Sequence, residues 1–270
     1  MENSSVVSRR AEPDDLGFPV RLPDVVRRVV SLVPSLTEAI AATSPRLLVG
    51  VTDWCSHPPG LPAARIGGTK NPDVAGIAEL EPDLVLANEE ENRPADLAGL
   101  RALGLAVWVT RIRGLTEAFS SLHQMITLAC GLPRPDWLDM AEACWAQLPA
   151  ARQDMARTAI VPIWRRPWMV LGRDTFAGDV LARLGVRNIY ASHQDRYPRI
   201  RIEDLRASAA DLVVLPDEPY PFGAEDGPEA FPAMPAALVS GRHLTWYGPS
   251  LAEAPAILGR QLRDVVAPVE

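Results

Sequence analysis

Along most of the chain, apolar runs of about four residues alternate with stretches whose apolar positions recur every three or four residues. The first pattern predicts short strands buried on both faces, and the second predicts amphipathic helices. Strands are expected at 25–32, 46–51, 84–87 and 106–110, with helices after Pro34 and near 74–80 and 94–103. Ser35 with Glu38 three residues later reads as a capping box for the first of these helices. From 114 to 157 the strand pattern stops. Leu115, Phe119, Leu122, Ile126 and Ala129 repeat at helical spacing up to Gly131, a natural stop. A second helix from 136 to 157 would span about 33 Å at roughly 1.5 Å per residue, with Pro149 as its point of kinking. From Thr158 the alternation resumes, with strands at 159–163, 168–171, 186–190, 212–215 and 237–239 and helices at 176–184 and 251–266.

Strands and helices alternating at this pace imply parallel, doubly wound sheets. One phrase occurs twice. A short helix, a turn, the strand Asp83-Leu-Val-Leu-Ala and an acidic loop from Asn88 to Glu91 are echoed by Ile202 onward, Asp211-Leu-Val-Val-Leu and Asp217-Glu218. In open α/β sheets ligands bind beyond the carboxyl ends of the strands, so the repetition implies two ligand-facing edges, in two lobes with a cleft between them. The expected organisation is a flexible arm at 1–24, an α/β lobe at 25–113, a helical segment with an inter-lobe helix at 114–157, and a second α/β lobe at 158–270.

Composition narrows the function. The 34 acidic and 27 basic residues leave a net charge of −7, which disfavours nucleic acid and anionic membranes as partners. The first residues contain no apolar core of a signal peptide, and no segment approaches membrane-spanning length. Cys55, Cys130 and Cys144 are odd in number and scattered, as suits a reducing compartment. The expectation is a cytoplasmic monomer, or an exported protein if translation starts upstream.

Candidate chemistry lies in the loops. Trp54 and Trp246 could wall a pocket for a flat ligand, whereas their plain reading is lobe core. Trp164 and Trp168 flank Arg165-Arg166, which could donate to oxygens on a ligand rim or sit in a solvated hairpin turn. Only Lys70, among 27 basic residues, is a lysine, and its turn could project a flexible ammonium into the cleft. Cys55 and His57 could be metal ligands or a thiol and its base, or plain loop residues beside Pro58 and Pro59. Glu218, between Asp217 and Pro219, is a better cleft candidate than Glu89-Glu90-Glu91, which reads as a solvated rim.

The residues from Arg28 to Glu38, Val49 to Trp54, Gly67 to Pro72 and Glu81 to Leu86 resemble the helical-backbone substrate-binding proteins of ABC importers. So do Arg166-Pro-Trp-Met169, Arg196-Tyr-Pro198, Asp217 to Phe222 and Trp246-Tyr-Gly-Pro249, nearest the vitamin B12-binding branch. The resemblance covers about 28–263. It implies two Rossmann-like lobes with mostly parallel sheets joined by a long helix, holding a corrinoid or similar metal chelate between them without catalysis. It gives Trp54 and Tyr197 the role of aromatics against the ligand, places Thr69 where a third aromatic is expected, and makes Glu203 a docking acid for a permease. Ala75 stands where the first lobe would carry the matching acid. Trp54, Tyr197 and Trp246 are thus expected to supply stacking area, with Lys70, Arg166 and Glu218 orienting polar groups. No intrinsic cofactor is expected, and His57 is the candidate axial ligand to a cobalt or iron brought by the ligand. The alternative is an enzyme using the same cleft, with Cys55 and His57 as its reactive or metal-binding pair.

Overall fold

The computed structural model describes residues 9–148 and 157–267. Two compact units emerge. The first runs to Ile112 and includes Glu117–Leu138 and Tyr247–Pro249; the second holds Arg113–Thr116, Asp139–Trp246 and Ser250–Glu270.

The first unit begins with strands β1 (Arg9–Pro13) and β2 (Pro19–Pro23), which pair antiparallel. These residues were expected to be part of a loose arm. The hairpin is instead fastened at its tip, by contacts that no local pattern announces. Asp14 accepts from the amides of Leu16 at 3.0 Å, Phe18 at 2.8 Å and Val109 at 3.3 Å, while Asp15 accepts from the Arg111 amide at 2.8 Å and from Ser121 Oγ at 2.5 Å.

A parallel sheet follows, built from β3 (Val29–Ser31), β4 (Leu48–Val51), β5 (Ala64–Arg65), β8 (Leu84–Asn88) and β9 (Val107–Thr110), in the order β5-β4-β3-β8-β9. The two-residue strands β6 (Gly67–Gly68) and β7 (Asn71–Pro72) form a separate small hairpin. Every residue of β3, β8 and β9 is buried, as strands covered on both faces must be, and that explains their unbroken apolar runs. Helices α1 (Pro34–Thr43), α2 (Val74–Glu79) and α3 (Pro94–Ala102) connect them. The expected capping box on α1 does not form. Pro34 occupies the first helical turn with Val33 as N-cap, because a proline's fixed φ starts a helix at that point; Ser35 and Glu38 are buried inside the helix.

Helix α4 (Leu115–Gln124) passes into one π turn, Met125–Ala129, and Gly131 takes φ +67 just beyond it, the left-handed geometry of a helix stop. Helix α5 spans Asp136–Ala146; the rest of the expected 136–157 helix, including Pro149, lies largely outside the described residues.

The second unit holds β10 (Arg157–Ile160), β13 (Val186–Asn188), β14 (Leu212–Pro216) and β15 (Ala236–Val239), all parallel, in the order β13-β10-β14-β15. An antiparallel hairpin of β11 (Pro162–Arg165) and β12 (Trp168–Val170) leaves the end of β10. Helices α6 (Phe176–Arg183), α7 (Ile202–Arg206), α8 (Gly241–Thr245) and α9 (Ala254–Gln261) complete it. Val170, Leu205, Val213, Leu215, Phe222 and Phe231 share one apolar core there.

Candidate functional site

Strand order locates a crevice in each unit. In the first, the chain leaves β3 toward β4 on one side, and leaves β8 toward β9 on the other. Loops departing in opposite directions open a gap between the carboxyl ends of β3 and β8, the usual ligand position in open α/β sheets. In the second unit the same reversal falls between β10 and β14.

At the first crevice two buried amides organise the loop after β8. Asn88 donates from Nδ2 to the Thr110 carbonyl at 3.1 Å and to Thr110 Oγ1 at 3.0 Å, and its Oδ1 accepts from the amides of Glu90 at 2.9 Å and Glu91 at 3.3 Å. Asn92 Oδ1 accepts from the Asn88 amide at 2.9 Å, and its Nδ2 donates to the carbonyls of Thr69 at 3.0 Å and Leu32 at 3.4 Å. The bond to Leu32 spans the crevice itself. Lys70 Nζ donates to the Glu90 carbonyl, and burial pushes the Glu91 carboxyl above its ordinary range, against the pull of Lys70. The acidic loop, expected to be a solvated rim, is therefore half-buried at Glu90 and Glu91 and tied to the Lys70 turn.

Trp54 is 68% exposed, on a loop braced by Arg65, whose Nη1 donates to the carbonyls of Thr52 at 2.7 Å and Cys55 at 3.1 Å. A Cβ on Gly68 would stand 3.4 Å from Trp54 Nε1, so the indole edge lies over the Gly68 turn. Cys55 is fully buried, with Sγ 3.0 Å from Thr37 Oγ1 and 3.1 Å from Thr52 Oγ1. That placement removes Cys55 and His57 as a reactive pair, since a sealed thiol cannot reach substrate. His57 is exposed, with Nδ1 3.1 Å from Ser56 Oγ. Among the described residues no group of three or more His, Cys, Asp or Glu side chains is arranged to hold a metal.

At the second crevice the β11–β12 hairpin faces the loop after β14. Trp164, 43% exposed, meets Tyr220 edge to face at 5.6 Å. Trp168 turns inward, stacked on Phe222 at 6.1 Å and edge to face with Phe231 at 5.4 Å. Arg165 pairs with Asp226 and Glu229, which ties the hairpin to the 223–229 loop; Arg166, exposed at the hairpin turn, is the guanidinium placed outward. Glu218 is half-buried and accepts from Trp246 Nε1 at 3.2 Å. Trp246 is only 7% exposed. It seats Glu218 and offers little stacking area, contrary to expectation. Tyr197 sits half-buried on a separate loop after β13, with the Arg196 guanidinium 5.7 Å from its ring centroid. Glu203 is exposed in the first turn of α7, and Ala75 is exposed on α2.

The sequence-predicted residues thus assemble in part. Lys70 and Trp54 both border the Gly68 turn, and Glu218 and Trp246 bond directly. Asn88 and Asn92 were missed as candidate site residues. The position of Asn88 at the end of an apolar strand, just before an acidic loop, was the available signal.

Residues 29–229 match the family model described as periplasmic binding protein. Over 198 residues, 71% of each chain, the sequence is 26% identical to the vitamin B12-binding protein of Vibrio cholerae serotype O1. The solved periplasmic vitamin B12-binding protein BtuF of Vibrio cholerae shares the fold with a TM-score of 0.68 and 19% identity, over 88% of this chain and 97% of that one. The periplasmic heme-binding protein RhuT of Roseiflexus sp. RS-1 does so with a TM-score of 0.72 and 22% identity, over 88% and 98%. The cytoplasmic expectation is overturned by these matches, all to periplasmic proteins where a compartment is stated. An acidic balance and scattered cysteines are compatible with either side of a membrane and decide nothing.

Proposed function

Because the chain belongs to the periplasmic binding protein family, and is a non-catalytic ligand-binding protein, we propose that it holds a corrinoid or a similar metal chelate for an ABC permease. The observation that carries this reading is Trp54, a large aromatic left 68% exposed at the ligand-facing end of the first sheet. Exposed indoles are costly in water, and a flat macrocycle is held mainly by such apolar and stacking area. Trp164 with Tyr220 offers a second aromatic surface at the other crevice, and Tyr197 a third. In this reading Lys70, Arg166 and Glu218 would orient amide, carboxylate or phosphate substituents. His57 would serve a metal only as a single axial ligand to an ion that the ligand brings. The vitamin B12-binding relative supports a corrinoid, and Glu203 is the acid through which the permease would be met.

Absorbance titration of the purified protein with cyanocobalamin, cobinamide, haem and ferric siderophores tests the reading. Saturable binding of a corrinoid at micromolar concentration or below supports it. Binding of none of the four sinks it.

A further inference from the structure

We infer that Asn88 and Asn92 are positioning residues that hold the first crevice's binding wall in one shape, acting through the Thr69-Lys70 turn and the Glu90-Glu91 backbone. Neither side chain is available to a ligand: both residues are 2% exposed. Their polar groups are instead spent on backbone from four separate segments. Asn88 reaches β9 through Thr110 and turns the chain back on itself at Glu90 and Glu91. Asn92 joins that loop to Leu32 at the end of β3 and to Thr69 in the small hairpin turn.

The consequence is geometric. The acidic loop and the Lys70 turn are 20 residues apart in sequence, and hydrogen bonds from Asn92 to the Thr69 carbonyl and from Lys70 to the Glu90 carbonyl join them. Buried amides satisfied at both ends specify a single loop conformation, because any other arrangement leaves a desolvated donor or acceptor without its partner. The second unit uses part of the same device. Asn188, at the end of β13, accepts from the Tyr190 amide at 3.1 Å and donates to the Leu171 carbonyl at 2.8 Å and the Gly172 carbonyl at 3.2 Å. An asparagine at a strand's carboxyl end, bonding its own backbone two residues on and a neighbouring segment with the amide, thus recurs in both units.

Lys70 gives this inference a readout that needs no ligand. As the chain's single lysine, it is the one side-chain amine that an acylating reagent can modify, so its acetylation rate is readable by peptide mass spectrometry. Asn92→Ala should raise that rate about five-fold or more in a protein that remains folded by circular dichroism, and Asn88→Ala should do the same. Asn92→Asp should not rescue, since a carboxylate cannot donate to the Thr69 and Leu32 carbonyls. Asn188→Ala should leave the Lys70 rate at the wild-type value. Should Asn88→Ala fail to fold, Asn92→Ala alone decides. A folded Asn92→Ala variant with an unchanged Lys70 rate overturns the inference, as does an equal rise in Asn188→Ala, which would mark general loosening.

The ligand arm rests on the function proposed above and uses cyanocobalamin as its probe. Asn92→Ala should weaken binding about ten-fold. If the wild-type protein binds no cyanocobalamin while Lys70 acetylation quickens in Asn92→Ala, the positioning role stands and cyanocobalamin is ruled out as the ligand.

Discussion

The indole of Trp246 donates to a carboxylate oxygen of Glu218 at 3.2 Å, so an aromatic that could have faced a ligand instead holds an acid in place. The seat beneath Glu218 is equally tight. Asp217 Oδ1 accepts from the Gly241 amide at 2.6 Å, and a Cβ on Gly241 would lie 2.7 Å from the Glu218 amide nitrogen and 2.8 Å from its carbonyl oxygen.

Backbone atoms cannot yield as a flexible side chain can, so Gly241→Ala must shift either α8 or the 217–219 loop. The expected cost is about 1–3 kcal/mol, the range for overpacking a filled site. Urea unfolding should show a lower midpoint with an unchanged slope. A midpoint equal to that of the wild type would refute the close approach.

Trp54→Ala should separate binding from stability. The side chain is largely in water, so its removal should change unfolding free energy by no more than about 0.5 kcal/mol. Loss of a central aromatic contact costs about 2 kcal/mol of affinity, roughly thirty-fold in Kd at 1.4 kcal/mol per decade. Parallel titration and denaturation of the variant check both halves. Trp246→Phe should behave oppositely, with a measurable loss of stability from the broken bond to Glu218.

The hairpin at the amino-terminal end carries a pH-dependent contribution. Burial raises the Asp15 carboxyl above its ordinary value, and the neighbouring Asp14 adds to this, although hydrogen bonds from Ser121 and Arg111 oppose the shift. For an acid whose folded pKa is raised, the associated stability is fully present below the unfolded pKa and is lost as pH rises through the folded one. Asp15→Asn removes that titration. The stability of wild type relative to Asp15→Asn should therefore fall as pH rises above the ordinary aspartate range and level off once the folded-state carboxyl is ionised, as read from urea midpoints over a pH series. A constant difference would contradict the raised pKa.

Thiol labelling tests the placement of the cysteines. Cys55 and Cys130 are buried, and burial pushes the Cys130 thiol up to about 12. Cys144 alone is partly exposed. Native protein should react rapidly with a disulfide reagent at Cys144 and release the other two thiols only on denaturation. Fast labelling at Cys55 in the native state would reopen the reactive-pair alternative.

Much of this architecture was legible in the chain. Strands buried on both faces must be apolar throughout, so Leu84–Asn88 and Leu212–Pro216 announce themselves as runs, and the helices between them follow from spacing. The repeated Asp-Leu-Val phrase does mark equivalent places: both copies open a strand beside the reversal in strand order, and both lead into a loop at a crevice. Sequence by itself therefore determined most of the element types and the α/β alternation that builds parallel sheets.

Tertiary structure alone decided which side of each loop faces water. Trp54 and Trp246 both sit in irregular segments, yet one is exposed and the other nearly sealed, because exposure depends on neighbours that arrive from elsewhere in the chain. The pairing of Glu218 with Trp246 crosses 28 residues, Asn92 reaches Leu32 across 60, and Asp14 reaches Val109 across 95. Periodicity reports how a segment divides its own faces between core and solvent. It carries no record of the partner that a buried polar group will find, and at both crevices those partners set the shape of the wall.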